Sequence, residues 1–220
     1  VYKHAPGNGE TGGEIHWLLR EKLLLATNNR GKLREYRELL QGLPYQLITL
    51  AEAGIMTEVR EDGKTLEENA VLKASTDAAE SGLLTLADDS GLEVDALNGA
   101  PGPLSARYAG EKATDAERIS YLLSKMEGVP REKRTARFRC VIALSAPEGE
   151  TRQFPGECPG YITFAPRGSL GFGYDPIFYL PELGKTMAEI TMTEKNQVSH
   201  RRRAAEKARR YLLERSKDIS

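Results

Sequence analysis

The chain is poor in the features that mark several protein classes. Cysteine occurs only twice, at Cys140 and Cys158, too few for a disulfide framework, and neither has a CxxC partner or histidines at zinc spacing. Both read as reduced thiols of a cytosolic protein. No run of about 18 apolar residues occurs, so no membrane-crossing helix is expected. The opening stretch VYKHAPGNGETGGEIHWLLREK holds neither an apolar export core nor a small-residue cleavage site, so no export signal is expected. Charge of one sign is not in excess either: 31 Lys and Arg face 32 Asp and Glu, for a net charge of −1. No general attraction to nucleic acid follows. What remains is a chain of 220 residues, long enough to bury a substantial core in one domain with two lobes. Residues 1–20, rich in glycine and polar side chains, read as a flexible extension of a single domain over 21–220.

The central stretch is Leu83 to Leu92, LLTLADDSGL. An apolar run meets two carboxylates, a hydroxyl and a glycine, the pattern of a buried strand delivering charge at its C-terminal edge, where open α/β sheets place ligands. Alternation along a strand sends Asp88 and Asp89 to opposite sides. Gly91 is expected to let the chain turn. The same letters also describe a solvated turn.

Upstream, Leu23–Ala26 form a short strand, followed by the loop TNNRGK and a helix carrying Leu33, Tyr36, Leu39 and Leu40 at helical spacing. A helix start with Thr27, Asn29 and Lys32 beside it suits phosphate. It equally suits an ordinary helix cap, and it is not a Walker A loop. In VREDGKTLEENAVLKASTDAAESG, Thr65 and Glu68 match a capping box. Asn69 and Lys73 share one helix face, and Glu61 lies in the preceding loop. A second carboxylate converging with Asp89 would make a hard-oxygen Mg²⁺ site.

Downstream come a Gly/Pro-rich connection containing Arg107, a helix, and the long strand TARFRCVIALSAP with an antiparallel continuation. GSLGFGYDPIFYLP is not a dinucleotide fingerprint, but Phe172 beside close-approach glycines can stack on a flat base. The last helix, SHRRRAAEKARRYLLERSK, has Ser199 as N-cap. Its first turn holds His200 and Arg201 against the helix dipole, which hints at a purpose for them.

Four segments together, TNNRGK with Glu35, EDGKTLEENAVLKA, ADDSGLEVDALNGAPGPLSARYAG, and GFGYDPIF followed by EKNQVSHR, resemble the inosine triphosphate pyrophosphatase family, the nonstandard purine NTP pyrophosphatases or XTP/dITP diphosphatases. The resemblance spans roughly residues 22–213 in consistent order. It implies an elongated, two-lobed α/β fold with a mixed twisted sheet flanked by helices and an active-site cleft between the lobes. It also implies Mg²⁺, a cytoplasmic homodimer acting on a small-molecule nucleotide, and conversion of XTP to XMP and pyrophosphate. Carried over by position, Thr27, Asn29 and Lys32 match the phosphate loop and Lys73 a triphosphate contact. Glu61 and Asp89 match the metal carboxylates, Asp89 also the proton acceptor, and Asp89 with Lys32 form the catalytic pair. Ser90 matches a substrate contact. Phe172, Gly173, Tyr174 and Asp175 match the base pocket, and Lys195, His200 and Arg201 the base-reading contacts. Arg107 fits less securely, and the N-terminal extension has no counterpart.

Two rivals differ in kind. A Maf-type pyrophosphatase would act on pyrimidine or modified nucleotides, against which GFGYDP and SHRRR argue. A nucleic-acid module built on the basic last helix would bind in a steeply salt-dependent way and survive EDTA.

Overall fold

The protein is represented by a computed structural model, which describes residues 21–56 and 59–218. The extension expected over residues 1–20 lies outside the described residues. Among the described residues seven strands form one mixed sheet: β1 (Glu21–Leu25), β2 (Tyr45–Thr49), β3 (Leu84–Val94), β4 (Thr135–Ser145), β5 (Thr151–Ile162), β6 (Phe178–Leu180) and β7 (Lys185–Thr186), in the spatial order β2-β1-β3-β4-β5-β6-β7. β1 lies parallel to both β2 and β3, and the remaining pairs are antiparallel. The helices are α1 (Arg30–Leu39), α2 (Leu66–Ser81), α3 (Asp115–Lys125), α4 (Met192–Val198) and α5 (His200–Asp218).

Strand alternation decides which helix each side chain meets. Leu23 and Leu25 of β1 pack with Tyr36 and Leu39 of α1 and with Ala204 and Ala208 of α5, whereas Leu24 packs with Leu66, Ala70 and Ala74 of α2. β4 repeats the pattern, Cys140 and Ile142 facing the first group, Val141 and Ala143 the second. These two layers make one lobe. The far ends of β3 and β4, with α3 and β6, enclose a separate core containing Leu92, Phe138, Ile119 and Phe178, which makes the other.

β3 does not end at its carboxylates, as the sequence pattern suggested. It continues to Val94, paired with β4 from Thr85 to Val94, so Asp88 and Asp89 sit in mid-strand. Gly91 makes no turn there. It stays in the ladder opposite Arg139, and a Cβ at this position would run into the carbonyl oxygen of Gly102. The glycine serves a close approach of backbones.

β5 carries Pro155 and Pro159 because β6 pairs only with Tyr161 and Ile162, leaving the rest of β5 as an edge. The capping box expected at α2 is only half formed. Thr65 Oγ1 accepts from Glu68 N at 3.1 Å, but the Glu68 carboxylate returns to Lys64 N at 2.6 Å rather than to Thr65. Ser199 caps α5 as expected, its Oγ accepting from Arg202 N at 3.1 Å.

Candidate active site

A cleft of about 740 Å³ runs between the lobes, lined by Thr27, Asn29 and Lys32, by Glu61, Lys73 and Asp89, and by Phe172, Asp175, Lys195 and His200. The loop after β1 brings Asn29 to the N-terminus of α1. There its Oδ1 accepts from Gly31 N at 2.9 Å and Lys32 N at 3.1 Å, so part of the helix start is already satisfied by its own cap. Thr27 Oγ1 accepts from Asn29 N at 3.2 Å.

Alternation separates the two aspartates. Asp88 shares the face of Leu86 and meets α1 and α5, its Oδ2 lying 3.0 Å from Lys32 Nζ and 3.4 Å from Arg201 Nε. Burial pushes the Asp88 carboxyl up, but Lys32, then Arg201 and Lys73, overcome it and hold the group well below the usual carboxylate range. Asp89 faces α2. Its Oδ2 accepts from Asn69 Nδ2 at 3.0 Å, and its Oδ1 lies 3.5 Å from Lys73 Nζ. Here burial prevails over Lys73 and Lys32, and the carboxyl titrates above its ordinary value.

Lys73 Nζ also meets Glu61 Oε1 at 2.5 Å and donates to the Asp88 carbonyl oxygen at 2.7 Å. Burial lowers its pKa, but Asp89, Glu61 and Asp88 more than restore it, so the ammonium stays charged. Two carboxylates thus converge on one cation. Mg²⁺ is held by one or two protein carboxylates completed by waters and substrate phosphates, and Glu61 with Asp89 fits that donor set. Among the described residues no group of three or more His, Cys, Asp or Glu could hold a metal by itself.

The aromatic part of the lining comes from the loop Gly171–Asp175 and the first turn of α5. The Phe172 ring lies against the start of α1: a Cβ on Gly31 would stand 2.6 Å from Phe172 Cδ1. Lys195 Nζ sits 4.6 Å from the ring centroid. Asp175 Oδ2 accepts from Phe172 N at 3.0 Å and pairs with Lys195 Nζ at 2.6 Å. Burial raises the Asp175 carboxyl against the pull of Lys195. Lys195 reaches Glu35 Oε1 at 3.0 Å as well.

Arg201 is buried and bonds to Glu35, to Asp88 and, at 2.9 Å, to Ser90 Oγ. These bonds use four of the five guanidinium N–H groups. Burial lowers its pKa, but Glu35 and Asp88 return it well above the ordinary value. His200 stacks on Phe138 with ring centroids 4.8 Å apart, and its buried Nδ1 has no hydrogen-bond partner. Burial, then Arg201 and Lys195, hold its pKa well below the ordinary value, so the ring is neutral. Tyr174 belongs to the core of the second lobe, its hydroxyl donating to Ser105 O at 3.0 Å.

Several residues at the site had no assigned role in the sequence reading. Glu35 anchors both Lys195 and Arg201. Asn69 orients Asp89, and its helical spacing from Lys73 was the available signal. Arg107 also lines the cleft, and its Nη2 donates to the backbone Glu61 O at 2.7 Å.

A cleft that gathers cations, a helix start, paired carboxylates and an aromatic face with buried polar groups defines an α/β protein of the nucleotide-hydrolysing class. The Ham1 family model matches residues 23–211, and the chain belongs to that family. It is 52% identical over 191 residues to the dITP/XTP pyrophosphatase of Desulforamulus reducens, covering 87% of this chain and 95% of the relative. With the dITP/XTP pyrophosphatase of Geobacter sulfurreducens the identity is 55% over 183 residues, covering 83% and 92%. Among solved structures, a HAM1 protein from Coxiella burnetii superposes with a TM-score of 0.82 at 44% identity, covering 88% of this chain and 99% of that one. The Staphylococcus aureus Ham1 protein superposes with a TM-score of 0.79 at 43% identity, covering 87% and 98%.

Proposed function

We propose that the chain is a pyrophosphatase that hydrolyses the nonstandard purine nucleotides dITP, ITP and XTP to monophosphate and pyrophosphate, with Mg²⁺ as cofactor, as a cytoplasmic homodimer. The observation that carries the reading is the placement of Asp89. It is a buried carboxylate of raised basicity, oriented by Asn69 and lining the same cleft as Lys32, Lys73 and Phe172. The names of the two relatives above support the substrate class.

In the reaction, Asp89 takes a proton from water whose oxygen bonds to the α-phosphorus. The bond from that phosphorus to the bridging oxygen breaks, and pyrophosphate leaves with the electron pair. A general base is most effective when its pKa approaches working pH, and burial moves Asp89 in that direction. Lys32 and Lys73 face the phosphates, with Thr27 and the Nδ2 of Asn29 beside them. A Mg²⁺ ion held by Glu61 and Asp89 would neutralise phosphate charge.

At the base, O6 of a 6-oxo purine accepts and N1–H donates, whereas adenine presents the reverse. The remaining Arg201 N–H, the unpartnered His200 Nδ1 and the Lys195–Asp175 pair beside Phe172 suit the first pattern. Adenine would leave buried polar groups unpaired, and sites of this kind discriminate by about 10⁴ to 10⁵.

Four arginines of α5 weigh against a nucleic-acid face. Arg202 pairs with Glu206, Arg203 donates to Glu157 O, Arg209 to Gln41 O, and Arg215 pairs with Glu21. No helix among the described residues is long and apolar enough to cross a membrane. Hydrolysis of a panel of ITP, dITP, XTP, GTP and ATP with added Mg²⁺, read by product, tests the reading. Monophosphate with pyrophosphate from the first three is expected, and diphosphate with phosphate, or comparable rates for ITP and ATP, would overturn it.

A further inference from the structure

We propose that Asp115 is a positioning residue for base selection: it latches the loop Gly171–Asp175 to the N-terminus of α3 and, through Arg118, to the turn Gly102–Arg107. The inference rests on the nucleotide reading above and gives a role to a residue that lines the same cleft. Asp115 Oδ2 accepts from Gly173 N at 2.7 Å, across 58 positions of sequence. Its Oδ1 pairs with Arg118 Nη2, and Arg118 Nη1 donates to Ala106 O at 2.5 Å.

Asp115 is not needed to cap its own helix. Thr114 and Glu117 already form a complete capping box at α3, Thr114 Oγ1 accepting from Glu117 N at 3.2 Å and Glu117 Oε2 from Thr114 N at 2.7 Å. Its carboxylate is thus available to a distant partner. On the loop, the adjacent Phe172 N is held by Asp175. Two carboxylates therefore fix consecutive amides next to the ring that lies against α1. Gly173 itself has φ 61°, where a side chain would be strained, so the loop conformation is set by its backbone partners.

The turn that Arg118 grips is shared. Tyr174 donates to Ser105 O within it, and Arg107 at its end donates to Glu61 O at 2.7 Å. One short segment thereby joins the base loop to the carboxylate loop, and Asp115 with Arg118 is a second link on the base side, beside Tyr174.

Asp115→Ala should raise KM for ITP about tenfold, which corresponds to about 1.4 kcal/mol, with little change in kcat, and should narrow the ITP to GTP ratio of kcat/KM. Asp115→Asn keeps an oxygen acceptor for Gly173 N and should recover most of the loss. Amide hydrogen exchange over residues 168–175, measured without nucleotide, should be faster in the alanine variant and near wild type in the asparagine variant. Unchanged KM and exchange in Asp115→Ala would overturn the latch. So would an asparagine variant indistinguishable from alanine, or a global loss of protection with kcat and KM changed alike for every nucleotide. Should Asp115→Ala fail to fold, Arg118→Gln, which removes the carboxylate's second support, should show faster exchange in the same segment, and wild-type exchange there would overturn the proposal. If the wild-type protein does not cleave ITP, the proposed function fails while the exchange measurement still decides the latch.

Discussion

Asp88 and Asp89 are adjacent on one strand yet belong to different ion-pair systems: Asp88 Oδ2 lies 3.0 Å from Lys32 on α1, and Asp89 Oδ1 lies 3.5 Å from Lys73 on α2. The first pair system is buried and its carboxyl is held far down, so it stays ionised and inert. The second is reached from the cleft, and its carboxyl is raised. The division follows from the two-residue period of β3 and from helices covering both faces of the sheet.

Removing the charge of each aspartate should therefore have a different consequence. Asp89→Asn should lower kcat by roughly 10² to 10⁴ while the fold survives. Asp88→Asn should act on stability, because it leaves Lys32 and Arg201 without their shared partner, a loss of about 3 kcal/mol or more for a broken buried pair. Steady-state kinetics beside thermal melts of both variants separates the two. An Asp89 variant with wild-type turnover would take that residue out of the chemistry.

Asp77, on α2 one turn beyond Lys73, should make stability depend on pH. Its buried Oδ1 has no hydrogen-bond partner, and burial, then Glu80, push its carboxyl up to about 6 from 3.8, with Lys73 opposing. The folded protein then binds more protons than the unfolded chain between about pH 4 and pH 6, so this group's contribution falls as pH rises through that window. Asp77→Asn should raise stability by about 1 to 2 kcal/mol near pH 8, after allowance for solvent screening, and by much less near pH 4. Denaturant melts at both pH values would expose an error as an equal shift in each.

Phe172 should matter to affinity more than to turnover. A base stacked on an aromatic side chain gains about 1 to 3 kcal/mol, so Phe172→Leu should raise KM for ITP by roughly tenfold or more. The ring is only half-buried, and thermal stability should change little. An unaltered KM would remove the ring from the base site.

Gly156 offers a test at a distance from the cleft. A Cβ there would run into His200 O and Ala204 N, the backbone of the first turns of α5. Gly156→Ala should push the start of α5 off β5, costing about 1 to 3 kcal/mol as an overpacked contact does. Because His200 and Arg201 ride on that turn, KM for ITP should rise as well. A melt and a KM both equal to wild type would show that the helix start does not depend on this contact.

Much of the site was legible where a local period carried it. The opposed directions of Asp88 and Asp89 follow from strand alternation, the shared face of Asn69 and Lys73 from helical spacing, and the cap of α5 from Ser199. The end of β3 was not legible, because Asp-Asp-Ser-Gly has the composition of a turn. It continues as strand since Lys32 and Arg201, distant in sequence, neutralise Asp88, and since Gly102 crowds Gly91. The role of Glu35 as a double anchor and the Asp115–Gly173 bond were hidden for the same reason: each joins elements that only the assembled sheet brings together.

The ion-pair network that holds Lys195 and Arg201 at the base end is electrically even, Lys32, Lys195 and Arg201 against Glu35, Asp88 and Asp175. A floor without net charge projects little field beyond the Debye length of about 8 Å at physiological salt, so it does not steer an approaching nucleotide. Its donors and acceptors act only on contact. Correct and incorrect purine triphosphates should consequently enter at similar rates and differ in how long they stay, which puts selection at this end of the cleft in residence time rather than in capture.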